Sequence, residues 1–262
     1  MLGAIIGDIS GSRFEWDNHK SKEFELLTRS CCPTDDSNMT LAVAKAILEA
    51  DTDWSKLPGL AVSCMRNFGR WYPHGYGGRF WDWLKSRDPQ PYGSWGNGSA
   101  MRVSPCAWAA GPMEEALQLS DAVTNLTHNH PEGVKGARAV TAAIWLARQG
   151  AGIPEIREHI NEEYYQLDFT LDQIRPKYDF DVSCQGSVPQ AIEAFLESTG
   201  FEDTVRNAIS IGGDSDTIAA MAGSIAEAYY GIPEEIRNQA IAFLDHRQLS
   251  VVNGFEEKYG MK

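Results

Sequence analysis

The sequence predicts a compact, mostly α-helical single domain over residues 1–262. Three observations lead there. Apolar residues recur at i, i+3, i+4 and i+7 through long stretches, the mark of one helix face. Sustained polar/apolar alternation of β-branched residues between hairpin turns is absent. No Pro/Ser-rich linker, internal repeat or low-complexity tract divides the chain, and one fold of this length can bury roughly three quarters of its unfolded surface.

The first helix is marked by Leu2, Ile5, Ile6 and Ile9, while Gly3, Gly7 and Gly11 form a second stripe four residues apart. Glycine costs about 1 kcal/mol inside a helix relative to alanine, so a row of it implies close approach by another backbone. Met39, Val43, Ala46, Ile47 and Ala50 carry the next face, and Thr34, Asp35 and Asp36 stand where that helix should begin. Residues 133–149 present Val134, Ala137, Thr141, Ile144 and Trp145, with Gly150 as the stop. A helix over 187–198 is expected to open with Ser187 and Pro189 in its first turn and to close before Gly200. Residues 216–230 give Ile218, Met221, Ala222, Ile225 and Tyr229, ended by Gly231 and Pro233, and a last helix is expected from Pro233 to about His246.

Hydrophobic residues make up 43% and charged ones 23%, which is ordinary globular composition and excludes a disordered chain. A net charge of −13 and a pI near 4.9 argue against nucleic acid or an anionic membrane as partner, since both select clustered Lys and Arg. A small phosphorylated ligand stays compatible, because a site can be locally positive, above all with metal ions in it. Cysteines at 31, 32, 64, 106 and 184 match neither a zinc knuckle nor a disulfide framework, so a reducing compartment is expected. The start, MLGAIIGDISGS, has no basic flank and carries Asp8, which fits neither a signal peptide nor a spanning helix. A cytoplasmic protein is the expectation.

Two clusters stand out, Thr34-Asp35-Asp36-Ser37 and Gly212-Gly213-Asp214-Ser215-Asp216-Thr217. Each places two carboxylates and a threonine hydroxyl at the start of an apolar helix. Taken singly, each also reads as an N-cap. Together they offer hard oxygen ligands suited to Mg²⁺, Mn²⁺ or Ca²⁺, and a cation would relieve the repulsion between adjacent carboxylates. Gly96-Asn97-Gly98-Ser99, after Ser94 and Trp95, is turn chemistry that can also aim backbone N–H groups at a phosphate. His128 and His130, in Thr127-His128-Asn129-His130-Pro131, make a poor zinc pair.

In this order the segments resemble the ADP-ribosylglycohydrolase family. The matches are Gly7-Asp8-x-x-Gly11-Ser12-x-x-Glu15, Thr34 to Ser37, Ser94 to Arg102, Thr127-His128, Ser187-Val188-Pro189 and Gly212 to Thr217, and they span almost the whole chain. The resemblance implies an all-α, compact orthogonal helical bundle with two divalent cations, Mg²⁺ or Mn²⁺, in a central cleft. By the same resemblance Thr34, Asp35, Asp36, Asp214, Asp216 and Thr217 are the metal ligands, and Glu15 is the acid/base beside them. Ser94, Gly96, Asn97 and Gly98 hold phosphates and ribose, and His128 contacts the ADP-ribose.

The implied chemistry is hydrolysis at C1″ of ADP-ribose attached to a protein or small-molecule acceptor, by a monomer that binds no nucleic acid directly. Two other readings use the same residues: a silent ADP-ribose binder or crystallin-like structural protein, and a metal-dependent phosphohydrolase of nucleotide diphosphates. An intact ligand set with Glu15 favours the glycohydrolase. Tyr92, Gly93 and Ser94 precede the Gly-Asn-Gly loop where arginine-directed members can carry an acidic side chain, so the resemblance assigns no linkage. No one of Trp16, Trp71, Trp81, Trp83 and Trp95 is singled out to stack on adenine, and Cys31-Cys32 has no functional account.

Overall fold

The computed structural model describes residues 1–260. In chain order its α-helices are α1 (Leu2–Gly11), α2 (Asp35–Ala50), α3 (Leu57–Trp71), α4 (Gly78–Lys85), α5 (Ser104–Ala109), α6 (Met113–Thr124) and α7 (Pro131–Arg148). They continue as α8 (Ile153–Glu163), α9 (Leu171–Ile174), α10 (Cys184–Leu196), α11 (Phe201–Ser210), α12 (Ser215–Tyr230), α13 (Glu234–Ile241) and α14 (His246–Tyr259). Among the described residues there is no strand, only an isolated bridge between Gly96 and Ser183. The fold is all-α, as the periodicity predicts.

The centre is built on α1 and α12. Every residue of α1 is buried, and α12 is buried without interruption from Ser215 to Ala226. A helix apolar all round has no solvent face to offer, which is why both lie inside. Gly3, Gly7 and Gly11 form the crossing: a side chain at Gly7 would strike the Ala219 backbone, and one at Gly3 the carbonyl of Gly223. The glycine stripe therefore does what its spacing implies, and it draws the start of α12 against the end of α1. Around this pair, α2 packs between α3 and α14, and α7 and α10 close the other side of α12.

Two expected helices differ. The helix expected at 187–198 starts at Cys184, capped by the Ser183 side chain on Gly186 N, so Pro189 lies inside it rather than in its first turn. Proline removes one intrahelical bond there, and burial of Val188, Ala191, Ile192 and Phe195 holds the helix together. The last helix stops at Ile241 instead of reaching His246. A fresh helix begins after Asp245, whose side chain caps Gln248 N while Gln248 caps Asp245 in return. Helices α3–α6, α8, α9, α11 and α14 lie outside the set expected from spacing. No described helix is long and apolar enough to cross a membrane, and all five cysteines are unpaired.

Candidate active site

A cleft of about 540 Å³ opens where the starts of α2 and α12 meet. Eleven of the twelve residues singled out from the sequence line it: Glu15, Asp35, Asp36, Ser94, Gly96, Asn97, Gly98, His128, Asp214, Asp216 and Thr217. Thr34 sits just behind the wall and carries its neighbour Asp8. That carboxylate, fully buried in α1, accepts bonds from Thr34 N at 2.9 Å, Thr34 Oγ1 at 2.6 Å, Ser37 N at 3.0 Å and Ser37 Oγ. Asp8 was not among the candidate ligands, although a lone carboxylate on an otherwise apolar helix was the signal available.

The carboxylates form two overlapping groups. Asp8, Asp36 and Asp216 bring one oxygen each to within 4.8 Å of one another, and so do Glu15, Asp214 and Asp216. Asp216 belongs to both. Thr217 Oγ1 donates to Asp36 Oδ2 at 3.1 Å, joining the two sequence clusters, while Asp35 lies on the wall outside either group. Asp214 starts α12 without capping it; instead its Oδ2 accepts from Asn97 Nδ2 at 2.6 Å. Gly212 and Gly213, with φ of +72° and +77°, make the left-handed turn that delivers it.

Packing so many acids out of water resists their ionisation. Burial and the neighbouring carboxylates push Asp35, Asp36 and Asp216 well above the ordinary carboxylate range. Burial also raises Asp8 and Asp214, against the pull of their hydrogen bonds. Glu15 is only half-buried, and desolvation with the charges of Asp214 and Asp8 pushes it up to about 7. One oxygen, Asp36 Oδ1, is buried with no hydrogen-bond partner. An all-oxygen donor set with an orphaned carboxylate oxygen fits a hard divalent cation.

The opposite wall is polar but not acidic. The loop at Asn97 is pinned by Asn97 N on Val182 O at 2.8 Å and Ser99 Oγ on Gly133 O at 2.9 Å. His128 is buried against it with Nε2 facing Gly98. Thr127 Oγ1 accepts from Arg102 at 2.7 Å and shares a hydrogen bond with His128 Nδ1, 2.6 Å away. Burial and the charges of Arg102 and Arg79 hold His128 well below its usual range, hence neutral. With Nδ1 engaged by Thr127, Nε2 is the ring nitrogen left to face the cleft.

Arg79, Tyr92 and Arg102 complete this side, and none was expected from the sequence. Of the five tryptophans considered, only Trp16 lines the cleft, 80% exposed at its mouth and stacked on Phe180 with centroids 5.1 Å apart.

Comparison with known proteins shows which family the chain belongs to. An "ADP-ribosylhydrolase ARH3" of Xenopus tropicalis is 26% identical, over 88% of this chain and 86% of its own. The "ADP-ribosylarginine hydrolase Tri1" of Pseudomonas putida (strain GB-1) is 27% identical, over 95% and 74%. The "ADP-ribosyl-[dinitrogen reductase] glycohydrolase" of Rhodospirillum rubrum is 25% identical, over 77% and 70%. A solved structure described as an ADP-ribosylglycohydrolase-related protein complex shares the fold with a TM-score of 0.73 at 23% identity, covering 99% of this chain and 96% of its own. The family model for ADP-ribosylglycohydrolase matches residues 1–253, and the chain belongs to that family.

Proposed function

We propose that the protein is a metal-dependent hydrolase that cleaves the bond from C1″ of ADP-ribose to a protein or small-molecule acceptor. The observation that carries this reading is Asp216, shared between two carboxylate groups of which one contains the half-buried Glu15. Asp36, Asp214 and Asp216, completed by Asp35 and the hydroxyls of Thr34 and Thr217, would hold two divalent cations, Mg²⁺ or Mn²⁺. Such ions would neutralise the clustered charge and fix and polarise ribose hydroxyls. Asp8 already accepts four hydrogen bonds, so its role is to brace Thr34 and Ser37 at the start of α2.

Without metal, desolvation and the charges of Asp214 and Asp8 raise Glu15 to about 7, and the desolvation that remains when cations offset those charges still favours a carboxyl able to act as acid or base. It takes a proton from the attacking water or gives one to the departing acceptor as the C1″ bond breaks through an oxocarbenium-like state. The Gly96–Gly98 loop, Ser94 and His128 Nε2 supply polar contacts for the diphosphate and ribose, with Arg79 the nearby cation. Orientation of the sugar by this wall keeps C1″ in reach of Glu15.

Arginine-, serine- and base-linked ADP-ribose, offered with Mg²⁺ and with Mn²⁺, tests the reading by product analysis. Metal-dependent release of intact ADP-ribose is the expected result. AMP with ribose phosphate would instead mean attack at phosphorus, and binding without turnover would mean a silent ADP-ribose binder. Full activity after exhaustive chelation would overturn the metal assignment.

A further inference from the structure

We infer that Asn18 is a positioning residue that fixes Glu15 relative to Asp214. The inference rests on the proposed role of Glu15. Glu15 stands beyond the end of α1 on a segment with no regular hydrogen-bond ladder of its own. Such a segment places a carboxylate reproducibly only if something else ties its backbone down. Asn18 does this from both ends of its amide. Nδ2 donates to the carbonyls of Phe14 at 3.2 Å and Glu15 at 3.1 Å. Oδ1 accepts from Gly213 N at 2.7 Å, and Nδ2 also reaches Gly213 O at 3.2 Å.

One side chain thus spans 195 residues of sequence between the backbone of the acid/base and the residue before Asp214. The left-handed turn at Gly212 and Gly213 is what exposes the Gly213 N–H to it. Lys20 reinforces the strut two residues on, with Nζ donating to Tyr178 O at 2.5 Å and to Ile211 O. Asn18 itself is exposed and lies outside the residues lining the cleft, so it acts through Glu15 and not on the sugar.

A double-mutant cycle over Asn18→Ala and Glu15→Gln, read by single-turnover ADP-ribose release at saturating Mg²⁺ or Mn²⁺, tests this. Asn18→Ala should slow release about 10- to 100-fold, the scale of a misplacement near 1 Å, with ADP-ribose Kd and Tm almost unchanged. In the Glu15→Gln background the same change should cost nothing further. Asn18→Asp keeps the acceptor for Gly213 N and loses the donor to Glu15 O, so it should be slow even if the alanine variant fails to fold. Equal losses in both backgrounds, or an unchanged rate for Asn18→Ala, would overturn the inference and leave the Glu15 reading standing. An unchanged rate for Glu15→Gln alone would overturn both.

Discussion

Thr217 Oγ1 lies 3.1 Å from Asp36 Oδ2, so the starts of α2 and α12 meet across 181 residues of sequence. Asp36 uses one oxygen in that bond and keeps the other, Oδ1, buried without a partner. A buried carboxylate oxygen without a partner is costly to leave unmet, and under the proposed function a cation would meet it.

Asp36→Asn removes a buried carboxyl whose ionisation Asp8, Asp35 and Asp214 oppose. Its metal-free form should melt about 2–4 °C higher, the shift that roughly 1 kcal/mol gives a chain of this size. The same variant should lose the Tm rise on adding Mg²⁺ or Mn²⁺ and at least about 100-fold in turnover. Differential scanning fluorimetry with and without EDTA checks the first pair of outcomes. A lower metal-free Tm would mean that the bonds from Thr217 and Thr34 outweigh the repulsion.

The pH dependence of metal binding follows from the direction of the shifts. Asp36 and Asp216 titrate in the folded state well above 3.8, the value for the free side chain. Proton binding to them stabilises the fold fully below that value and is lost as pH rises through their folded-state range. Protons and cations compete for the same oxygens. The Tm increase produced by a fixed Mn²⁺ concentration should therefore be larger at pH 8 than at pH 5. A thermal-shift titration giving equal increments at both pH values would contradict it.

Glu15→Gln preserves shape and removes the titrating proton. The rate constant for ADP-ribose release should fall about 10²- to 10⁴-fold, the usual reach of a positioned acid or base. Kd for ADP-ribose, measured by calorimetry, should change little. An unaltered kcat would take Glu15 out of the mechanism.

Gly7→Ala drives a methyl group into the Ala219 carbonyl at the tightest part of the helix crossing. Overpacking of this kind costs about 1–3 kcal/mol, which urea denaturation can measure. Because α1 carries Asp8 and α12 starts at Asp214 and Asp216, the proposed metal ligands, metal affinity should drop with it. Gly59→Ala, on α3 with open space around it, is the control and should be neutral or slightly stabilising.

Much of the site was readable before folding because its parts are local. Thr34–Asp36 and Asp214–Thr217 stand at helix starts, and those starts are marked by where apolar periodicity begins. α14 escaped notice although Asp245 and Gln248 form a capping box and Val251, Val252 and Phe255 give it a buried face, because the preceding helix was expected to run on to about His246. Pro189 misled in the other direction: a proline favours a first turn, yet burial around Phe195 carries the helix through it.

By itself the sequence determined the all-α class, the glycine stripe that lets two helices touch, and the ordered motifs that mark the family. Those are properties of near neighbours, set by period, capping and side-chain chemistry. Tertiary structure alone decided that Asp216 serves two carboxylate groups, that Asp8 braces Thr34, that His128 turns Nε2 to the cleft, and that Asn18 bridges Glu15 and Gly213. Each depends on groups far apart in the chain arriving within hydrogen-bonding distance. The path of the backbone sets that distance, and residue spacing does not encode it.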